Sequence, residues 1–141
     1  MTMSLSAPLQ LALYERLTTA PALASLQGRV YDDAPHRNRE TSTDPYVTIG
    51  EESVRPWNTA TDFGAIHDAV VSVHAPRRGF LDVKALAATI AEVIVTDPPA
   101  PERGRIVCHE FVAARTRREE QGALRRIDVT FRFVIEDAPA G

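Results

Sequence analysis

Apolar residues recur at helical spacing near the start of the chain. Leu9, Ala12, Leu13 and Leu17 fall on one face, which predicts an amphipathic helix. Ser6 is placed to cap it, and Pro8 sits in the first turn, where a missing N–H does no harm. Ala22, Leu23 and Leu26 predict a second short helical turn that ends near Gly28, and Val30 with Tyr31 predicts a short strand. Residues 33–45 carry no apolar period and read as an irregular loop. Residues 46–54 alternate well enough for a strand that Pro56 ends, and residues 58–64 are turn-like, so 46–55 and 66–75 predict a hairpin. In its second arm Ala69, Val71, Val73 and Ala75 share a dry face, with Asp68, Ser72 and His74 on a wet one. Residues 79–96 form the clearest helix, with Val83, Leu86, Ala87, Ile90 and Ile94 on one side. The proline-rich stretch 97–101 cannot continue it. Residues 106–114 and 124–135 predict a closing hairpin around a polar turn at 116–122. In its last strand Ile127, Val129, Phe131, Phe133 and Ile135 alternate strictly with polar residues.

The element order is α-β-ββ-α-ββ. It predicts an α+β fold: an antiparallel sheet of about four to five strands with two amphipathic helices on one face. The opposite face, bearing Arg126, Asp128, Arg132, Asp68, Ser72 and His74, is expected to meet water or a polar partner. Residues 1–141 are expected to form a single domain, with frayed ends at 1–5 and 137–141.

Composition narrows the function classes. The chain is 44% hydrophobic with a net charge of −3, which excludes both a disordered chain and a generally basic nucleic-acid binder. A chain of this length buries roughly 68% of its unfolded surface. One cysteine, Cys108, removes any internal disulfide or multi-cysteine zinc site, and it is expected as a small buried hydrophobe. Residues 1–7 lack the basic start of a secretory signal, and no apolar run is long enough for a membrane span, so a soluble protein is expected. The 16 basic residues include a single lysine, Lys84, and the rest are arginine. Residues 1–100 hold 8 basic and 12 acidic residues, whereas 101–141 hold 8 and 7, so the relative basic excess lies in the closing hairpin.

No phosphate loop, dinucleotide fingerprint, nucleophile elbow or metal-binding helix motif occurs. Neither catalytic residues nor cofactor or metal ligands are assigned. His67 and His74 are seven apart and point to opposite faces of a regular strand; Cys108 and His109 diverge as neighbours do. Asp68 and His74 share a face but lie about 20 Å apart. A small enzyme or ligand-binding domain would need His74, His109 and Asp68 brought together across strands. Arg115, Arg117, Arg118, Arg125 and Arg126 form the sharpest charge cluster, offset in part by Glu119 and Glu120. This cluster is either a contact for an acidic partner or a solvated hairpin tip. Trp57, beside Pro56 in a polar stretch, is either an interface anchor or packs on its own sheet.

Several segments together carry a resemblance. They are Leu9-Gln10-Leu11-Ala12-Leu13-Tyr14-Glu15-Arg16-Leu17, Gly28-Arg29-Val30-Tyr31-Asp32 with Pro35, and Asp44-Pro45-Tyr46-Val47-Thr48-Ile49-Gly50. Val71-Ser72-Val73-His74-Ala75, a helix with Ala85-Leu86-Ala87 and a closing hairpin follow. Over roughly residues 8–136 the chain resembles the tail-completion, or tail-terminator, proteins of long-tailed bacteriophages and phage-like gene transfer agents. The resemblance implies a non-enzymatic α+β subunit of the head–tail neck, assembled in the host cytoplasm as a hexameric ring on the head-proximal end of the tail tube. That ring would stop tube polymerisation and present a surface to the head-side stopper or adaptor, with DNA passing through its lumen without sequence-specific binding. A head-side connector or a tube subunit is the alternative within the same machinery. Between its two most specific blocks this chain has a longer loop than the family pattern, with Arg37 and Arg39 in it. Trp57, Arg37, Arg39 and the hairpin arginines are the expected interface residues.

Overall fold

The structure, a computed structural model, describes residues 2–32, 44–58, 63–76, 79–119 and 124–137. A 3-10 turn at Thr2–Leu5 leads directly into helix α1 (Ser6–Thr19). Leu5, not Ser6, occupies the N-cap position, and no side chain caps the helix. Leu5 itself is only 1% exposed and joins the core. A 3-10 segment, Pro21–Leu26, follows and buries Leu23 and Leu26. The chain then reverses through Gln27 and Gly28, both at positive φ, where glycine carries no steric penalty.

The sheet has six strands: β1 (Val30–Tyr31), β2 (Tyr46–Thr48), β3 (Glu52–Asn58), β4 (Phe63–Pro76), β5 (Arg105–Glu119) and β6 (Leu124–Glu136). Their order is β1-β2-β4-β6-β5, with β3 also pairing β4. The count is above the expected four to five, and β1 runs parallel to β2, so the sheet is mixed. One physical cause adds a strand. The first arm of the predicted hairpin is split, because Tyr46 opposes His74 in one register and Glu52 opposes Ala69 in a register shifted by one residue. Gly50, at φ +122, absorbs the extra residue as a bulge. Pro56 does not end this arm. It lies inside β3, an edge strand, where an absent N–H on the outer side breaks no ladder bond.

Helix α2 (Phe80–Thr96) packs over β4, β6 and β5, while α1 packs over β1. Both helices therefore cover one sheet face. Leu9, Leu13 and Leu17 from α1 join Val83, Ile90 and Ile94 from α2 in one core with Val71, Val73, Val129, Phe131 and Phe133. His67 lies on this core face, fully buried, and its Nδ1 is 3.1 Å from a Glu52 carboxylate oxygen. Burial pushes the Glu52 carboxyl up, but the hydrogen bond from His67, with Ser6 nearby, outweighs it and holds the group below its usual range. Among the described residues no helix is long and apolar enough to cross a membrane.

Phe133 is wholly enclosed, so Phe133→Ala should lower the unfolding free energy by about 3–5 kcal/mol. Leu11→Ala, on the exposed side of α1, should shift it by no more than about 0.5 kcal/mol. Urea denaturation followed by circular dichroism checks both.

Candidate assembly surface

The long β5–β6 hairpin positions most of the predicted site residues. Both arms run further than the sequence pattern suggests, so the basic residues expected in a turn lie within paired strands. Two register shifts in β5, between Ile106 and Cys108 and between Phe111 and Ala113, each exchange which residues face the helices. By its partners in β6, the helix-facing set is Ile106, His109, Phe111, Ala114, Thr116 and Arg118. Cys108 falls on the other face and is exposed, contrary to its expected burial.

The five hairpin arginines therefore divide between two faces. Arg115, Arg117 and Arg126 belong to the face away from the helices, where Asp128 pairs with Arg117 and Arg126. Its carboxylate lies 2.6 Å from Arg126 Nε and 3.1 Å from Arg117 Nε, and it accepts a 2.7 Å hydrogen bond from the Ser72 hydroxyl. Arg118 and Arg125 turn toward α2, with guanidinium carbons 5.5 and 5.3 Å from the centre of the Phe80 ring, and Lys84 Nζ is 6.0 Å from it. This cation–π grouping gives the helix-side corner of the hairpin a concentrated positive charge. Further down the outer face Arg132 makes a forked pair with Asp68 at 2.8 and 3.2 Å, and Arg55 approaches the same carboxylate at 3.3 Å. The Arg132 hydrogen bonds hold Asp68 below its usual pKa against the opposing effect of burial. At Asp128 burial acts upward, but the hydrogen bonds from Arg126 and Ser72 and the nearby cationic charge prevail and the net direction is downward.

Ser72 and His74, on the face expected to meet water or a polar partner, are buried and meet polar partners within the chain. The His74 ring stacks on Tyr46 with centroids 4.6 Å apart, and its Nε2 is 2.9 Å from the Thr48 hydroxyl. His109 instead turns toward α2, with Nε2 2.9 Å from the Val95 carbonyl. His74, His109 and Asp68 thus serve three separate contacts. Among the described residues no group of three or more His, Cys, Asp or Glu side chains is placed to hold a metal ion. Trp57 is half-buried within β3, paired with Gly64, and any β-carbon at Gly64 would reach 3.0 Å from its ring. Arg37 and Arg39 lie outside the described residues.

The sequence pattern did not reveal a second feature. The β5 edge leaves Val107, Phe111 and Val112 substantially exposed, and an apolar groove of about 510 Å³ runs between α2 and β5. Ala87, Ala88 and Ala91 of α2 and Phe111 and Ala114 of β5 line it. On α1, Leu11 and Tyr14 are 67% and 46% exposed, on the side away from the core. Only the α1 pair had a legible signal, as apolar residues on the polar side of an amphipathic helix.

Neutralising Asp128 leaves two arginines short of a counter-charge, so Asp128→Asn should cost about 1–2 kcal/mol at neutral pH. A depressed carboxylate pKa contributes stability above the unfolded value, and that stability is lost as pH falls through the folded value. The stability gap between wild type and Asp128→Asn should therefore persist at pH 6–7 and close below about pH 4. Denaturation curves at several pH values measure it.

Residues 11–136 match the family model described as tail completion protein gp17. A chain from the virion of a native gene transfer agent (GTA) particle superposes with a TM-score of 0.84 at 37% sequence identity, covering 96% of this chain and 99% of that one. No match was found among curated protein sequences. The chain belongs to the tail completion protein gp17 family of structural tail proteins.

Proposed function

We propose that this protein is a tail terminator, located in the neck of a virion or phage-like particle. As a hexameric ring on the head-proximal end of the tail tube, it stops tube growth and offers the head-side stopper or adaptor a joining surface. The observation that carries this reading is likeness in fold over nearly the whole chain, at 37% sequence identity, to a chain of a gene transfer agent virion. The fold is suited to the task. Strand β5 is an open edge 15 residues long, and such an edge is available to pair with or pack against a neighbouring chain. A ring of heterologous contacts needs two different surfaces on each subunit, and the sheet ends in two different edges. DNA passes through the lumen without being read, in keeping with a net charge of −3.

The contacts with tube and stopper fall to Arg115, Arg117, Arg118, Arg125 and Arg126 on the hairpin, to Trp57 and to Arg37 and Arg39. Arginine suits this role because its planar guanidinium pairs with carboxylates on two prongs while stacking on rings. His74, His109 and Asp68 are occupied in separate structural contacts, which favours assembly over catalysis as the task of this fold.

Deleting the gene should yield tails of uncontrolled length that fail to join heads, seen by negative-stain microscopy. Normal-length, head-joined tails would sink the proposal, and spontaneous growth of the purified protein into long tubes would make it a tube subunit instead. The double reversal Arg115→Glu with Arg118→Glu, at two exposed positions, should leave the fold intact and reduce head-joined particles at least tenfold. Particle counts from a complemented deletion strain measure that loss.

A further inference from the structure

The two apolar features outside the arginine surface lie at opposite lateral edges of the molecule. Leu11 and Tyr14 form a ridge on α1, and α1 packs over β1, with Gln10 beside Gly50 of the bulge. The groove lies between α2 and β5, over the β6–β5 end of the strand order. One feature is convex and the other concave. The groove is open because its helix wall is built from alanines: Ala88 and Ala91 follow Lys84 at four and seven residues, a strip about 10 Å long. Leu11, Tyr14 and Glu15 share one side of α1 at the i, i+3, i+4 spacing by which a helix fills such a groove.

Charge follows the same division. Glu15, Asp32, Asp44 and Glu51 are exposed at the α1–β1 edge, where Arg16 is paired with Asp97 and Arg29 is bonded to the Pro45 and Ser25 carbonyls. The groove opens beside Lys84, with Arg118 close by at the Phe80 ring. Glu92 stands at the groove's other end.

We infer that the α2–β5 groove receives the Leu11–Tyr14 ridge of a second copy of this chain, with Glu15 of the ridge near Lys84 of the groove. The contact is heterologous: the donor and acceptor surfaces differ, so each subunit engages two neighbours, and repetition with a suitable rotation closes a ring. This inference deepens the terminator proposal and rests on it, because it names the surface that joins ring subunits rather than the one that meets tube or stopper.

The test uses the full-length protein with tail tubes, comparing wild type, Leu11→Glu, Ala88→Glu and an equimolar mixture of the two variants. Rings on tube ends are scored by negative stain, and the unbound fraction by light scattering. Leu11 and Ala88 are both exposed, so melting temperatures should stay within a few degrees of wild type; Thr116→Arg provides a second groove variant. Wild type should form rings and each variant should lose them. The mixture should give dimers and no rings, because the intact ridge of Ala88→Glu can enter the intact groove of Leu11→Glu only once. Rings that persist in the variants, or variants that lose rings without yielding the mixed dimer, overturn this contact and leave the terminator reading standing. A wild type that forms no ring on tube ends overturns the terminator reading itself.

Discussion

The pairing of β4 with β6 is the constraint on which the other features depend. The two strands stay in one register from Gly64 opposite Glu136 to Pro76 opposite Leu124. A shift of β6 by one residue would turn Val129, Phe131 and Phe133 outward and Asp128 and Arg132 into the core. The ion pairs of the outer face strengthen the same choice, since Asp68 opposes Arg132 and Ser72 opposes Asp128 in this register alone. Hydrophobic burial on one face and charge pairing on the other select a single alignment. That alignment fixes where the remaining strands can add.

From this central ladder the two flanks differ in how they are protected. On the β2–β3 side the chain adds a bulged strand with a proline in its outer half and then the short β1, and α1 covers that region. On the β5 side the sheet continues past the cover of α2, and residues 111–118 are exposed on both faces. An isolated soluble subunit usually guards such an edge with charge or bulges, and β5 has both, in its arginines and its two register shifts. Its exposed Phe111, Val107 and Val112 run against that protection, in keeping with the proposed role of this edge in assembly.

Much of the fold was legible because its strongest periods coincide with its most buried elements. The strict alternation of residues 127–135 and the helical spacing of 83, 87, 90 and 94 correspond to residues that are almost fully enclosed. The assembly surface was less legible. In β5 the helix-facing positions follow one another at intervals of three and two residues, because each register shift inserts one residue, so no regular period exists to be found. Cys108 was misplaced for that reason. Ser72 and His74 look solvent-facing by alternation, yet Tyr46 stacks on one and Asp128 binds the other.

The amino-acid sequence by itself determined the α+β class, the two helices on one face, the two hairpins, and a succession of segments resembling tail-completion proteins, but not the β4–β6 pairing that joins those hairpins. It could do so because amphipathic periods and turn residues are local properties of the chain. Only the tertiary structure decided which edge of the sheet stays open, which arginines gather on Asp128 and which on Phe80, and where alanines leave a groove. Those features depend on contacts between residues far apart in sequence: Arg126 with Ser72 through Asp128, or Ala88 with Phe111 across the groove. The excess of arginine over lysine, uninformative as composition, acquires meaning only there. A planar cation that can pair with Asp128 on one face and stack on Phe80 on the other braces the hairpin from both sides.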